Sequence, residues 1–131
     1  MEAIKWSEET LNNMLTEPSA ALVEDLKRLE GDIMVLGAGG KMGPDICVLA
    51  KKASVLGGSD RKIYAVSRFS DAAAAERLRS HGVTVIAADL MDANALQALP
   101  DCKNIIYMAG RKFGTNGTEY LTWGMNAWLP C

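Results

Sequence analysis

Between positions 37 and 43 the chain reads Gly37-Ala38-Gly39-Gly40-Lys41-Met42-Gly43, directly after the apolar run Ile33-Met34-Val35-Leu36. Glycines so placed let a buried strand turn sharply into a helix. Gly37 suits the tight turn, Gly39 or Gly40 brings backbone close to a pyrophosphate with no Cβ between, and Gly43 lets the helix pack closely on the strand. The helix that starts at Lys41-Met42-Gly43 then offers free N–H groups and the positive end of its dipole to an anion. Pro44 fits the first helical turn, where a missing N–H costs little. A turn built for tightness alone would use the same glycines. Their place between a strand and a helix, inside a βαβ unit, argues for dinucleotide binding. The Gly-Lys-Ser/Thr ending of a nucleotide-hydrolase phosphate loop is absent.

A second set of polar residues follows the later apolar runs. After Lys62–Val66 come Ser67 and Arg68, where a dinucleotide fold selective for NAD(H) places an acid to hold the adenosine ribose. Arg68 can pair with a 2′-phosphate, and no carboxylate is there to repel it, so NADP(H) is favoured over NAD(H). The alternative for Arg68 is a solvated surface charge. Asp89 and Leu90 end the third run, placed either to contact the adenine or, for Asp89, to cap a short helix over 92–98. Arg111-Lys112-Phe113-Gly114 follows the fourth run, where substrate or phosphate contact and a solvated basic turn are equally good readings. His81, the only histidine, falls at a helix C-terminus pointing away from the expected cleft, and Cys47 sits among Ile46, Val48 and Leu49 as a small buried hydrophobe.

These residues require a particular scaffold. Apolar runs at 33–36, 62–66, 83–87 and 104–108 alternate with helical patterns at 42–55, 71–81, 92–98 and 117–128. Strands that read as continuous apolar runs are covered on both faces, which predicts a parallel α/β sheet of the Rossmann type. Right-handed crossovers give the strand order 3-2-1-4. Ahead of it, residues 1–31 read as a helical arm: two helices are separated by Pro18, the second beginning at Ser19 and stopped by Glu30-Gly31. Residues 32–131 form the dinucleotide-binding part.

The glycine spacing 37-x-x-40-x-x-43, Asp89-Leu90, Tyr107-Met108-Ala109-Gly110 and Asn126 together resemble the short-chain dehydrogenase/reductase superfamily, in particular its extended, epimerase/dehydratase-like branch. The resemblance spans about residues 32–129. It implies that Asp89-Leu90 contact adenine, that Ala109 and Gly110 line the nicotinamide-ribose side, and that Asn126 matches the helix asparagine of that branch. It also implies hydride exchange between NADP(H) and a carbon of a small-molecule substrate, with a homodimer in the intact protein. The branch's proton-transfer Tyr, followed four positions later by Lys, finds no match: Arg68, Arg111 and Gly124 follow Tyr64, Tyr107 and Tyr120 at that offset. Leu36 also stands where many members carry Thr. A sheet stopping at a fourth strand would leave Ile105–Met108 as an exposed apolar edge. The expectation is therefore the cofactor-binding part of a longer enzyme, inactive alone, with a non-catalytic NADP-sensing regulator as the rival.

Composition limits the other classes. With 131 residues, net charge −2, and 14 basic residues against 16 acidic ones, the chain lacks the basic field that nucleic-acid binding requires. Three separated cysteines without a Cys-x-x-Cys motif argue against a disulfide framework or zinc site and for a reducing, cytoplasmic setting. The first thirty residues carry neither a signal-peptide pattern nor a membrane anchor. Trp123 and Trp128, with Leu121, Met125 and Leu129, read as one apolar helix face, core or dimer interface.

Overall fold

The computed structural model describes residues 6–111 and 116–131. Strands β1 (Ile33–Leu36), β2 (Ile63–Ser67), β3 (Thr84–Ala87) and β4 (Asn104–Tyr107) form one parallel sheet in the order β3-β2-β1-β4. Ile33 pairs with Ile63 on one side and Asn104 on the other, and Leu36 with Val66 and Tyr107. Every strand therefore ends at the same edge of the sheet. The architecture is a Rossmann-like α/β fold, as the alternation of apolar runs and helical patterns predicts.

Alternate residues of each strand supply two cores. Ile33, Val35, Ile63 and Ala65 pack with Cys47 and Val48 of α3 (Gly43–Leu56) and Leu78 of α4 (Ala72–Ser80). Met34, Leu36, Tyr64 and Val66 face the other way, against Leu90, Leu96 of α5 (Ala93–Gln97), and Leu129. This double burial is why the strands carry apolar residues at both parities. At the β4 edge, Ile105 and Ile106 remain 58% and 40% exposed, as expected of an uncovered strand.

The N-terminal segment forms α1 (Glu8–Leu15) and α2 (Ala20–Arg28), with Pro18 between them. Ser7 and Ser19 cap them, accepting from the N–H groups of Thr10 and Leu22. The second helix does not end on a glycine as expected: Leu29 is its extended C-cap, and Gly31, at φ +82°, makes the turn into β1 instead. This segment is held to the sheet domain by Leu26 and Leu29, which pack on the core, and by polar contacts. Arg61, 6% exposed, donates to the carbonyls of Gly31 at 2.7 Å, Leu26 at 3.1 Å and Leu29. Lys52 of α3 donates at 2.9 Å to the buried hydroxyl of Thr16.

The C-terminal stretch begins as α6 (Glu119–Trp123) and continues as a π-helical turn, Gly124–Trp128. That change of pitch divides the expected apolar face. Leu129 joins the core and Leu121 and Met125 turn towards the site described below, whereas Trp123 and Trp128, one i to i+5 turn apart, are 72% and 71% exposed. Among the described residues, no helix is long and apolar enough to cross a membrane.

Candidate functional site

A cleft of about 640 Å³ opens along the carboxyl ends of the strands, the position where open α/β sheets bind ligands. Its volume lies within the range of small-molecule sites. The β1–α3 turn contributes Gly37, Gly39 and Gly40, the end of β2 and the residue after it Ser67 and Arg68, the segment after β3 Asp89 and Leu90, and the segment after β4 Ala109, Gly110 and Arg111. Nine of the thirteen residues singled out from the sequence as cofactor-binding thus line one cavity, across four separate connections.

The glycines of the turn differ in what they permit. Gly37 has φ +85°, and a Cβ there would fall 2.4 Å from the nitrogen of Ala109. Gly39 sits against Ser67, whose Oγ would be 2.5 Å from an added Cβ. At Gly43 the contact is with the carbonyl oxygen of Ala38, 2.4 Å away, so this glycine packs the helix on its own turn. Gly40 alone has room: the nearest atom to an added Cβ is the Gly37 oxygen at 3.8 Å. Backbone at Gly40 is thus left open to the cleft. The head of α3 carries no side-chain cap, with Met42 at the N-cap and Pro44 in the first turn. Lys41 and Met42 are exposed outside the cleft lining, and Gly43 is buried beneath it.

Charge is distributed along the cleft. Arg68 is exposed at the end of β2 and forms no hydrogen bond or ion pair among the described residues. Asp89 is not the cap of α5: Asp92 takes that role by accepting from the N–H of Asn94 at 2.9 Å. Asp89 instead closes a local turn, its Oδ1 accepting from the N–H of Met91 at 2.9 Å. That turn presents Leu90 to the core and Met91 to the cleft. Of the basic loop after β4, Arg111 lines the cleft, while Lys112, Phe113 and Gly114 lie outside the described residues.

Asn126 does not line the cleft but fixes its rim. Its Oδ1 accepts from the Arg111 N–H at 2.8 Å and its Nδ2 donates to the Arg111 carbonyl at 3.0 Å. The side-chain amide thereby satisfies both backbone groups of one loop residue. Tyr107 braces the same region, its hydroxyl donating to the Met125 carbonyl. Burial raises the Tyr107 pKa, so this phenol holds its proton more firmly than a free tyrosine does.

Phe69 was not legible as a site residue. It lines the cleft in the left-handed region, φ +48°, which a bulky residue rarely adopts. Its ring packs partly on the core while Arg68 and Ser70 on either side border the cleft. Met91 carries no sequence signal of its place in the site; with Met108 of the segment closing β4, and with Leu121 and Met125 of the apolar stretch expected as core or dimer interface, it makes one part of the lining apolar. His81 lies far along α4, at its C-cap, with Nδ1 donating to the Arg77 carbonyl at 2.8 Å. Cys47 is fully buried, which pushes its thiol up to about 12.

Comparison with protein-family models finds no match to this chain, and comparison with curated proteins finds no significant one.

Proposed function

We propose that this chain binds NADP(H) and serves as the cofactor-binding part of an oxidoreductase or epimerase of the extended short-chain dehydrogenase/reductase kind. One observation carries the reading. The open backbone at Gly40 and the guanidinium of Arg68, unpartnered among the described residues, line the same cleft, which reaches Ala109 and Gly110 after β4. A dinucleotide laid along it would place its pyrophosphate at the glycine turn, its 2′-phosphate at Arg68, its adenine against Leu90 and Met91, and its nicotinamide end towards Ala109 and Gly110. When bound, the nicotinamide supplies hydride transfer. The residues of this chain orient it and exclude water from its apolar stretch.

Titration of the protein with NADP⁺ and NAD⁺ tests the proposal. Micromolar binding of NADP⁺, weakened about ten-fold or more in R68A while NAD⁺ affinity stays unchanged, is the expected result, since a hydrogen-bonded charge pair contributes about 1.5–3 kcal/mol. Equal loss for both nucleotides removes Arg68 from 2′-phosphate recognition. No binding of either removes the proposal.

A further inference from the structure

The head of α3 contains an acid where an anion is to bind. Met42 at the N-cap has no side-chain acceptor, and Asp45 is the acidic residue of the first turn, at the third helical position. A carboxylate at that position can reach back to the N-cap N–H, as the acid of a capping box does. The free N–H groups at the helix start are those a pyrophosphate needs. Asp45 is turned elsewhere: its Oδ1 accepts from Nη2 of Arg77, on α4, at 2.8 Å. The two side chains are 21% and 29% exposed, and Asp45 has no other hydrogen bond among the described residues.

We propose that Arg77 is a positioning residue for nucleotide binding, acting through Asp45. It holds the carboxylate against α4 and neutralises it, which leaves the N–H groups at the head of α3 open to phosphate. This rests on the cofactor reading above. Arg77 does not line the cleft; it borders a separate groove with Glu8, Glu9 and His81, so it has no direct route to the ligand. If Arg77 is lost, Asp45 both competes for the helix N–H groups and places an unpaired negative charge beside the pyrophosphate. Each effect opposes binding.

The test is a four-member cycle titrated with NADP⁺ by calorimetry: wild type, R77M, D45A and R77M/D45A, each with its thermal midpoint. R77M is expected to bind about five-fold more weakly, as expected for one charge at a helix terminus. The double variant recovers wild-type affinity or better, and D45A alone binds at least as tightly as wild type. R77M and D45A break the same ion pair, so a merely structural role predicts weaker binding in both. That pattern overturns the proposal, as does an R77M affinity equal to wild type. Should R77M fail to fold, R77Q takes its place: weaker binding in R77Q with unimpaired binding in D45A supports the positioning role, and any other pattern overturns it. If the wild type binds NADP⁺ but the variants do not follow the cycle, the Arg77 role alone falls. If the wild type binds no nucleotide, the cofactor reading falls and this inference with it.

Discussion

Gly37 and Ala109 meet backbone to backbone: a Cβ on Gly37 would lie 2.4 Å from the nitrogen and 2.5 Å from the Cα of Ala109. The first and fourth strands therefore deliver their connections to the same point, and only a residue without a side chain allows it. Gly37 also holds φ +85°, so alanine there incurs backbone strain and a clash together. G37A is expected to lose about 3 kcal/mol in urea unfolding, from a left-handed backbone at about 1–2 kcal/mol and overpacking at about 1–3. Gly40 is the control: it lines the cleft and has space for a Cβ. G40A should keep its stability within about 0.5 kcal/mol yet bind NADP⁺ more weakly. Equal stability loss in both variants would contradict this division of roles.

Arg61 predicts how the N-terminal helices are attached. Its buried guanidinium serves three carbonyls at the end of α2 and the turn into β1, and its Nη1 has no partner among the described residues. Carbonyls at a helix C-terminus carry partial negative charge, which suits a cation held without a carboxylate. Replacing it by methionine leaves those carbonyls buried without donors, at about 1–3 kcal/mol for an unsatisfied group. R61M should lose about 3 kcal/mol, and limited proteolysis should cut first within residues 6–31. A variant as stable and protease-resistant as wild type would show that apolar packing by Leu26 and Leu29 is sufficient.

Much of this fold was legible because its strands are short, apolar at both parities, and separated by helical patterns. That combination leaves few arrangements other than a parallel sheet in the order 3-2-1-4. The glycine turn was legible for a related reason, since glycines between an apolar run and a helical pattern mark a sharp strand-to-helix turn, and Gly37 and Gly43 make the close approaches such a turn needs. What was hidden depended on geometry without a composition signal. Phe69 carries no mark of its left-handed backbone, and Asp89 and Asp92 are equivalent cap candidates until the start of α5 is known. The π-helical turn after Gly124 broke the 3.6-residue spacing from which a single apolar face over 121–129 was expected. The terminal methyl of Met91 packs over that glycine, 2.8 Å from where a Cβ on Gly124 would lie.

Cys47 gives the protein an alkaline limit. Its thiol pKa is pushed by burial from 9.0 to about 12, so the folded state keeps a proton that the unfolded chain releases. The contribution is fully present below about pH 9 and is lost as the pH rises through 12, at about 1.4 kcal/mol per unit. Urea unfolding at pH 8.5 and 10.5 should show wild type losing about 2 kcal/mol more than C47A. Thiol labelling near pH 8 should modify exposed Cys131 quickly and Cys47 only on unfolding. Parallel pH profiles for the two proteins would mean that Cys47 does not set the limit.

Asn126 connects the C-terminal helical segment to the cleft without entering it. Its two bonds to Arg111, at 2.8 and 3.0 Å, order the loop whose Gly110 and Arg111 form the rim. Because Asn126 is exposed, water replaces part of what alanine removes, and N126A should cost only about 1 kcal/mol of global stability. The larger consequence is for binding. A rim that must be ordered by the ligand reduces its affinity by the fraction of time the rim is out of place, so NADP⁺ should bind about five-fold more weakly to N126A. Hydrogen exchange separates this from a general loosening: the Arg111 amide should exchange faster in N126A, while amides of β1 and β2 stay protected. Unchanged exchange at Arg111 would mean that the loop is held by its own backbone and by Tyr107, with Asn126 a bystander.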